Sequence, residues 1–185
     1  LERSSRVTHR IQTNGTLIDD RWCDFFKSHP ITVGVSLDGP GLANRQRVDW
    51  RGAASFDRVV RGINALKRAG LPLHIYAVIS DQMLDQAAAL YRYFAELGCQ
   101  RLAVNVEERS GENRIRSVVE DADRAERFWS ELAAAFRANP AVRIREFELF
   151  ADYWDAHEQK DLLQRPERER PARAHLYPTV GHNGD

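Results

Sequence analysis

The chain has 185 residues, 43% of them hydrophobic, which is enough for one globular domain with a core of its own. Its 27 basic and 27 acidic residues balance, which argues against attraction to nucleic acid or to an anionic membrane surface. No apolar run reaches the roughly 20 residues of a membrane span. Cys23 and Cys99 lie far apart without metal-site spacing, so we expect reduced thiols and a cytoplasmic protein.

Strands and helices alternate in the prediction for the first part of the chain. A strand over 6–12 precedes a helix that begins at Asp19 or Asp20 and is stopped by Pro30. A near-continuous apolar strand over 31–36, a polar loop over 41–54 and a helix capped by Ser55 follow. The apolar run of the second strand is typical of a sheet buried on both faces.

The same alternation continues beyond residue 70. The pattern predicts strands over 73–79 and 101–106, with a helix between them that is capped by Ser80 and Asp81. Two further helices are predicted, around 125–136 and 145–157, and the run 164–171 is a polar connector. Four strand–helix repeats predict an α/β fold with a parallel, TIM-like sheet.

Small polar residues follow the predicted strands where ligands usually bind such sheets. They are Asn14, Ser36, Asp38, Asn105 and Glu107. Each also has a purely structural interpretation: Asn14 as a left-handed turn residue, Asp38 as an acceptor of backbone N–H groups, Glu107 as the partner of an arginine.

Several segments together resemble radical S-adenosylmethionine (SAM) enzymes. These segments are 12–19, 33–40, 47–49 and 55–59. The likeness is strongest to peptide and protein maturases with a SPASM-type extension, such as anaerobic sulfatase-maturating enzymes. The run 105–108 is similar to the branch that forms cyclophane crosslinks in ribosomal peptides.

The resemblance implies a partial (β/α)6 barrel, of which this chain would hold the third to sixth strands within 1–110. A helical bridge would follow over 111–163, then a linker and the start of a SPASM-like domain over 164–185. The family's first strand and its three-cysteine loop have no counterpart here. We therefore expect a fragment that binds neither cluster nor cofactor alone and that self-associates through the exposed edge of its first strand.

The resemblance also implies a function for the parent protein. With SAM and a [4Fe-4S] cluster it would generate a 5′-deoxyadenosyl radical and crosslink or oxidise side chains of a ribosomal peptide or protein. Glu107 would be the catalytic proton acceptor or substrate anchor, and no residue of the chain would bind metal. Cofactor contacts would come from Asn14, Ser36, Asp38, Arg47, Asn105 and the backbone of Val106.

Two alternatives remain open. The chain could be a non-catalytic barrel fragment or degenerate paralogue that only binds a peptide. An unrelated TIM-like lyase or aldolase is more remote, because no strand carries a suitably placed lysine or metal triad. Arg47, which follows the Asp-Gly-Pro turn, could likewise be a solvated loop residue rather than a carboxylate ligand.

Overall fold

Strands and helices alternate along the computed structural model, which describes residues 8–107 and 122–158, the last six of them by backbone alone. The strands are β1 (His9–Thr13), β2 (Ile31–Ser36), β3 (His74–Ile79), β4 (Arg101–Val106) and β5 (Arg143–Ile144). The helices are α1 (Asp20–Ser28), α2 (Phe56–Arg68), α3 (Ala87–Leu97), α4 (Ala122–Ala138) and α5 (Arg145–Glu158). The chain divides into two compact units, Leu1–Glu146 and Phe147–Asp185, and the sheet belongs to the first.

All five strands run parallel, in the order β1-β2-β3-β4-β5. The predicted α/β fold is confirmed, and the carboxyl ends of the strands lie along one edge of the sheet. The part of the predicted first strand at residues 6 and 7 and the predicted connector over 164–171 lie outside the described residues. In the described ranges, no helix is long and apolar enough to cross a membrane.

Strand β5 was not predicted from the sequence. Its two residues, Arg143 and Ile144, pair with Arg101 and Leu102 of β4. Two residues are too few to show the alternation by which a strand is recognised. The sheet therefore has one strand more than the four predicted, within the range expected to be a helical bridge.

The two faces of the sheet differ in burial. Alternate residues Ile75, Ala77 and Ile79 of β3 are fully buried, whereas His74, Tyr76 and Val78 between them are half-buried. The register aligns Ile75 with Val35, Leu102 and Ile144, all of which are also buried. We call this side the covered face, and the side that carries Tyr76 the open face.

The cap predicted at Ser80 and Asp81 is wrong. A short 3-10 turn occupies Asp81–Met83, and α3 begins only at Ala87. Neither predicted residue caps the helix with its side chain; the carboxylates of Asp81 and Asp85 instead accept hydrogen bonds from Arg124 of α4, each at 2.7 Å. A tertiary contact thus replaces the local cap.

Ser55 lies at the predicted N-cap of α2 but makes no capping bond. Its hydroxyl donates to the carbonyl oxygen of Arg47 at 2.7 Å. Helix α2 also packs tightly against the turn after β1, because a side chain at Gly62 would overlap the carbonyl oxygen of Gly15. Only glycine permits this approach, which fixes the turn that carries Asn14.

Candidate functional site

The candidate site lies on the open face, near the carboxyl edge of the sheet. Ser36 of β2 aligns with Tyr76 of β3, and Tyr76 aligns with Ala103 of β4. Two residues further along the chain, Val78 aligns with Asn105. Since alternate residues of a strand share a face, these positions form two adjacent rows on the open face.

Asp38 and Arg47 contact each other in a bidentate ion pair. Arg47 donates from Nη2 to Oδ1 of Asp38 at 2.6 Å and from Nε to Oδ2 at 2.8 Å. The same Oδ1 accepts the backbone N–H of Val78 at 2.8 Å. The Asp38 carboxylate therefore links the end of β2 to β3 and to the following loop; it accepts a backbone N–H, but from β3 rather than from the turn after β2. The cofactor contacts expected of Asp38 and Arg47 stay predictions.

The loop over 41–54 is more ordered than the sequence indicated. It contains a 3-10 turn, Gly41–Asn44, and an isolated antiparallel bridge between Val48 and Ala54. Buried Asn44 accepts the backbone N–H of Asp38 through Oδ1 at 3.1 Å. Asp49 accepts hydrogen bonds from Arg58 and from the loop backbone, and the Arg58 contact chiefly holds the pKa of Asp49 below its usual value.

Ser36 is buried, and its hydroxyl accepts a hydrogen bond from the Gln12 side chain at 3.3 Å. Among the described residues the hydroxyl proton of Ser36 has no acceptor, so it can be donated to a ligand. Next to it the Tyr76 ring lies across Gly34: a β-carbon at Gly34 would overlap Cε2 of the ring and lie 2.8 Å from Cδ2. Because Gly34 has no side chain, the Tyr76 ring can lie against the backbone of β2 on the open face.

Asn14 is exposed in the turn after β1. Its Oδ1 accepts hydrogen bonds from the backbone N–H of Thr16 at 3.1 Å and from the Thr16 hydroxyl at 2.9 Å. The left-handed conformation considered for Asn14 is found instead at Gly15, where φ is 72°. Asn14 thus shapes its own turn, and its predicted cofactor contact is not tested by these bonds.

Asn105 is half-buried at the end of β4, and its Oδ1 accepts a hydrogen bond from Arg145 Nη2 at 2.8 Å. Arg145 also pairs with Glu146, whose Oε2 accepts the backbone N–H of Val104 at 2.8 Å. Strand β5 pairs with β4 only at Arg101 and Leu102. Beyond these residues the Glu146 carboxylate, rather than a strand, accepts the backbone N–H of Val104. Neither Arg145 nor Glu146 was predicted from the sequence as a site residue, because their partners lie about 40 positions away in the chain.

Val106 and Glu107 end β4 beside Asn105. Val106 aligns with Ile79, and the backbone N–H of Glu107 donates to the carbonyl oxygen of Ile79 at 3.0 Å. Glu107 is half-buried at the carboxyl edge of the sheet. Glu107 follows the last residue of β4, and its predicted place on the same face as Asn105 stays a prediction from alternation.

Cys23 in α1 and Cys99 between α3 and β4 are buried free thiols that form no disulfide. Burial raises the pKa of Cys99 to about 12 and also raises the pKa of Cys23. A cysteine binds a metal ion or cluster as its thiolate, and burial of Cys23 and Cys99 disfavours that charged form. The described residues contain no group of three or more side chains suited to hold a metal ion.

A cleft of about 270 Å³ opens beside this edge, between residues 40–46 and 80–90. Apolar side chains of Leu42, Met83 and Leu90 line it together with Arg45 and several glutamines. Ser80 from the sequence analysis and Pro40 of the segment 33–40 also line this cleft, but none of the predicted cofactor-binding or catalytic residues does. The predicted site residues lie instead along the ends of β1, β2 and β4.

The parallel sheet with polar groups at its carboxyl edge is typical of α/β proteins that bind ligands at that edge. Comparison with models of known families identifies the family. The model of the Radical SAM superfamily matches residues 1–94, half of the chain. The chain belongs to this superfamily. The family predicted from the segments 12–19 and 33–40 is therefore confirmed.

Individual relatives agree with this assignment. An uncharacterized protein of Synechocystis is 33% identical over 170 residues, which are 88% of this chain and 41% of that protein. The serine-type anaerobic sulfatase-maturating enzyme of Bacteroides thetaiotaomicron is 39% identical over 98 residues, 52% of this chain and 24% of the enzyme. The chain thus spans between a quarter and two fifths of the length of these relatives.

A solved structure shows the same fold. Native anSMEcpe with bound AdoMet and Cp18Cys peptide superposes with a TM-score of 0.66 at 26% identity, covering 77% of this chain and 42% of that one. This agreement supports the partial-barrel architecture predicted from the resemblance.

Proposed function

We propose that the chain is part of a radical SAM peptide maturase. The longer protein binds SAM and a [4Fe-4S] cluster and crosslinks or oxidises a side chain of a ribosomal peptide or protein. One observation carries the proposal: polar groups lie on the open face of the sheet in a chain that belongs to the Radical SAM superfamily. Ser36 and Asn105 occupy adjacent rows there, at the edge where parallel sheets bind ligands.

The residues present fit the adenosyl part of SAM. Ser36 retains a hydroxyl proton to donate, and Asn105 retains its amide NH2 group, so both suit ribose hydroxyls or ring nitrogens. The backbone around Val106 would meet the adenine. Asn14, Asp38 and Arg47 are included in the proposal, the last two chiefly because they hold the loop against the strand ends.

The cluster does not fit the described residues, since Cys23 and Cys99 are buried and favour the thiol form. We propose that its ligands lie elsewhere in the longer protein. SAM bound to such a cluster would supply a 5′-deoxyadenosyl radical once the reduced cluster had given it an electron, and this radical would remove a hydrogen atom from a carbon of the substrate. Glu107 would then accept a proton from the substrate or anchor it, because alternation along the strand predicts that it lies at the edge of the same open face.

A peptide or protein is the proposed substrate. The solved structure of native anSMEcpe holds a Cp18Cys peptide together with AdoMet, and its fold is shared by this chain. An open flank of a partial barrel can admit an extended peptide while its interior excludes water from the reaction. We also propose a cytoplasmic location, because reducing compartments preserve free thiols.

The edge strand β1 supports a further part of the proposal. His9, Arg10, Ile11 and Gln12 are exposed, and β1 pairs only with β2 in the described sheet. Its outer backbone groups could pair with other strands of the longer protein or, in the isolated chain, with a second copy. Size-exclusion chromatography at falling concentration tests this: a monomer at all concentrations would contradict self-association.

The deciding experiment uses the full-length protein, reconstituted anaerobically with iron and sulfide. We expect iron near four per chain or more, 5′-deoxyadenosine from SAM when a chemical reductant is supplied, and binding of the SAM analogue S-adenosylhomocysteine, which is not cleaved. Ser36→Ala should weaken that binding about fivefold, the effect of one lost hydrogen bond. Ser28→Ala, at an exposed position in α1, is the matched control and should bind normally.

The non-catalytic alternative predicts a different result. A full-length protein without a cluster that still binds peptide would make the barrel a binding module. Binding of S-adenosylhomocysteine that is equal in the Ser36→Ala, Asn105→Ala and unaltered proteins would place the cofactor elsewhere. That outcome would contradict the proposed site without contradicting membership of the superfamily.

A further inference from the structure

The amide group of Asn105 is held by the side chain of Arg145, the first residue of α5. Arg145, the residue after β5, donates from Nη2 to Oδ1 of Asn105 at 2.8 Å. Glu146 holds Arg145 in turn, through the hydrogen bond from Nε at 2.7 Å, and is itself fixed by the backbone N–H of Val104. All three side chains are half-buried, so the arrangement is partly shielded from water.

This contact decides which end of the amide faces the site. A guanidinium group has only donors, so the Asn105 oxygen must face Arg145 and the NH2 group must point away from it. In the part of the chain that the structure describes, Asn105 Nδ2 has no acceptor. Asn105 therefore presents a hydrogen-bond donor on the open face, where the amide of an unrestrained asparagine could present either end.

We propose that Arg145 is a positioning residue that acts through Asn105. It fixes the Asn105 NH2 group so that this group donates to an acceptor atom on the adenosyl part of SAM. Arg145 itself need not touch the cofactor, since its contacts are with Asn105 and Glu146. The inference rests on the proposed function, because it assumes that the open face binds SAM.

The binding test compares single and double variants of the full-length protein, with S-adenosylhomocysteine as the probe in isothermal titration calorimetry. Asn105→Ala should weaken binding about tenfold and Arg145→Leu about three- to tenfold. If Arg145 acts through Asn105, Arg145→Leu should add almost nothing in the Asn105→Ala background. Independent, multiplicative losses would overturn the proposal.

Conservative variants separate positioning from structure. Asn105→Asp keeps an acceptor for Arg145 but lacks the NH2 group, so the fold should be retained while binding falls at least as far as in Asn105→Ala. Arg145→Lys, which also has only donors, should recover much of the affinity lost in Arg145→Leu. Arg143→Leu, the same change two residues earlier, is the control and should bind normally. Wild-type affinity in Asn105→Asp would overturn the proposal.

A second readout needs no ligand. The side-chain ¹H–¹⁵N signals of Asn105, identified by their absence in Asn105→Ala, should broaden or shift in Arg145→Leu and stay unchanged in Arg143→Leu. Unchanged signals in Arg145→Leu would overturn the proposal. Thermal unfolding of each variant shows whether it is folded; if Arg145→Leu is not, Arg145→Lys and Asn105→Asp decide the question.

Failure of the inference differs from failure of the proposed function. If the unaltered protein does not bind S-adenosylhomocysteine, the proposed function is overturned and the ligand role of Arg145 with it. If the unaltered protein and Arg145→Leu bind equally, the proposed function stands and the role of Arg145 alone is overturned.

Discussion

The ends of β2 and β4 carry similar polar side chains that are bonded in opposite ways. The Asp38 carboxylate after β2 is buried and accepts three hydrogen bonds, two of them from Arg47. The Asn105 amide at the end of β4 is half-buried and accepts one hydrogen bond, which leaves its NH2 group without a protein acceptor in the described residues. Three of the roughly four acceptor sites of the Asp38 carboxylate are occupied, whereas the Asn105 amide keeps a donor for a ligand.

This difference teaches how to assign polar residues at the end of a strand. Their position alone indicates a binding site, since ligands of parallel sheets bind there. Their bonding capacity then separates groups that hold the fold from groups that can hold a ligand. By this criterion Asp38 organises the edge around which Ser36 and Asn105 are placed.

The largest expected effect on stability comes from removing the Asp38 carboxylate at the end of β2. Asp38→Ala leaves the Arg47 charge and the Val78 N–H without their partner, and should lower the free energy of unfolding by about 2–4 kcal/mol. Urea denaturation of the chain measures this. Asp20→Ala removes an exposed ion pair with Arg68 and serves as the control, with no measurable change expected. Equal effects at both positions would contradict the structural role of Asp38.

Gly34→Ala tests the contact between the Tyr76 ring and the backbone of β2. The new methyl group overlaps the Tyr76 ring and should cost about 1–3 kcal/mol of stability, since the ring must move. In a Tyr76→Ala background the same substitution should cost almost nothing more. Urea denaturation of the four proteins gives this comparison, and equal costs in both backgrounds would show that the ring does not lie over Gly34.

The same conservative substitution at both ends sharpens the contrast further. Arg47→Lys loses the two-pronged contact with Asp38 and should lower the stability by about 1 kcal/mol. Arg145→Lys can still donate to Asn105, so its effect on the denaturation midpoint should be smaller. A larger loss at Arg145 would mean that the end of β4 is the more important of the two for the fold.

The smallest expected effect lies away from both ends. Burial, and then the charges of Arg101, Arg10 and Arg143, hold the pKa of His74 below its usual value. The unfolded chain therefore takes up the proton first, and stability should fall as the pH drops below about 6.5, the usual pKa of histidine. Denaturation midpoints of His74→Gln should depend less on pH between 7.5 and 5.5. An unchanged dependence would contradict this prediction.

Much of the fold could be predicted from the sequence. Apolar periodicity located β2, α2, β4 and α4, because burial on a helix or in a sheet imposes a repeat that is local to the chain. It did not reveal β5, which is defined by its pairing with β4. It placed the start of α3 too early, because Asp81 bonds to Arg124, 43 positions further along the chain, instead of capping the helix.

The sequence by itself determined the parallel α/β fold, the superfamily and the edge of the sheet where polar residues gather, since these follow from local patterns and consecutive motifs. Only the tertiary structure decided what those residues do there. How many acceptor sites of a carboxylate are occupied, as at Asp38, and whether an amide NH2 group lacks an acceptor among the described residues, as at Asn105, depend on partners 9 to 40 positions away. Hydrogen bonding acts through space, so separation along the chain does not reveal it.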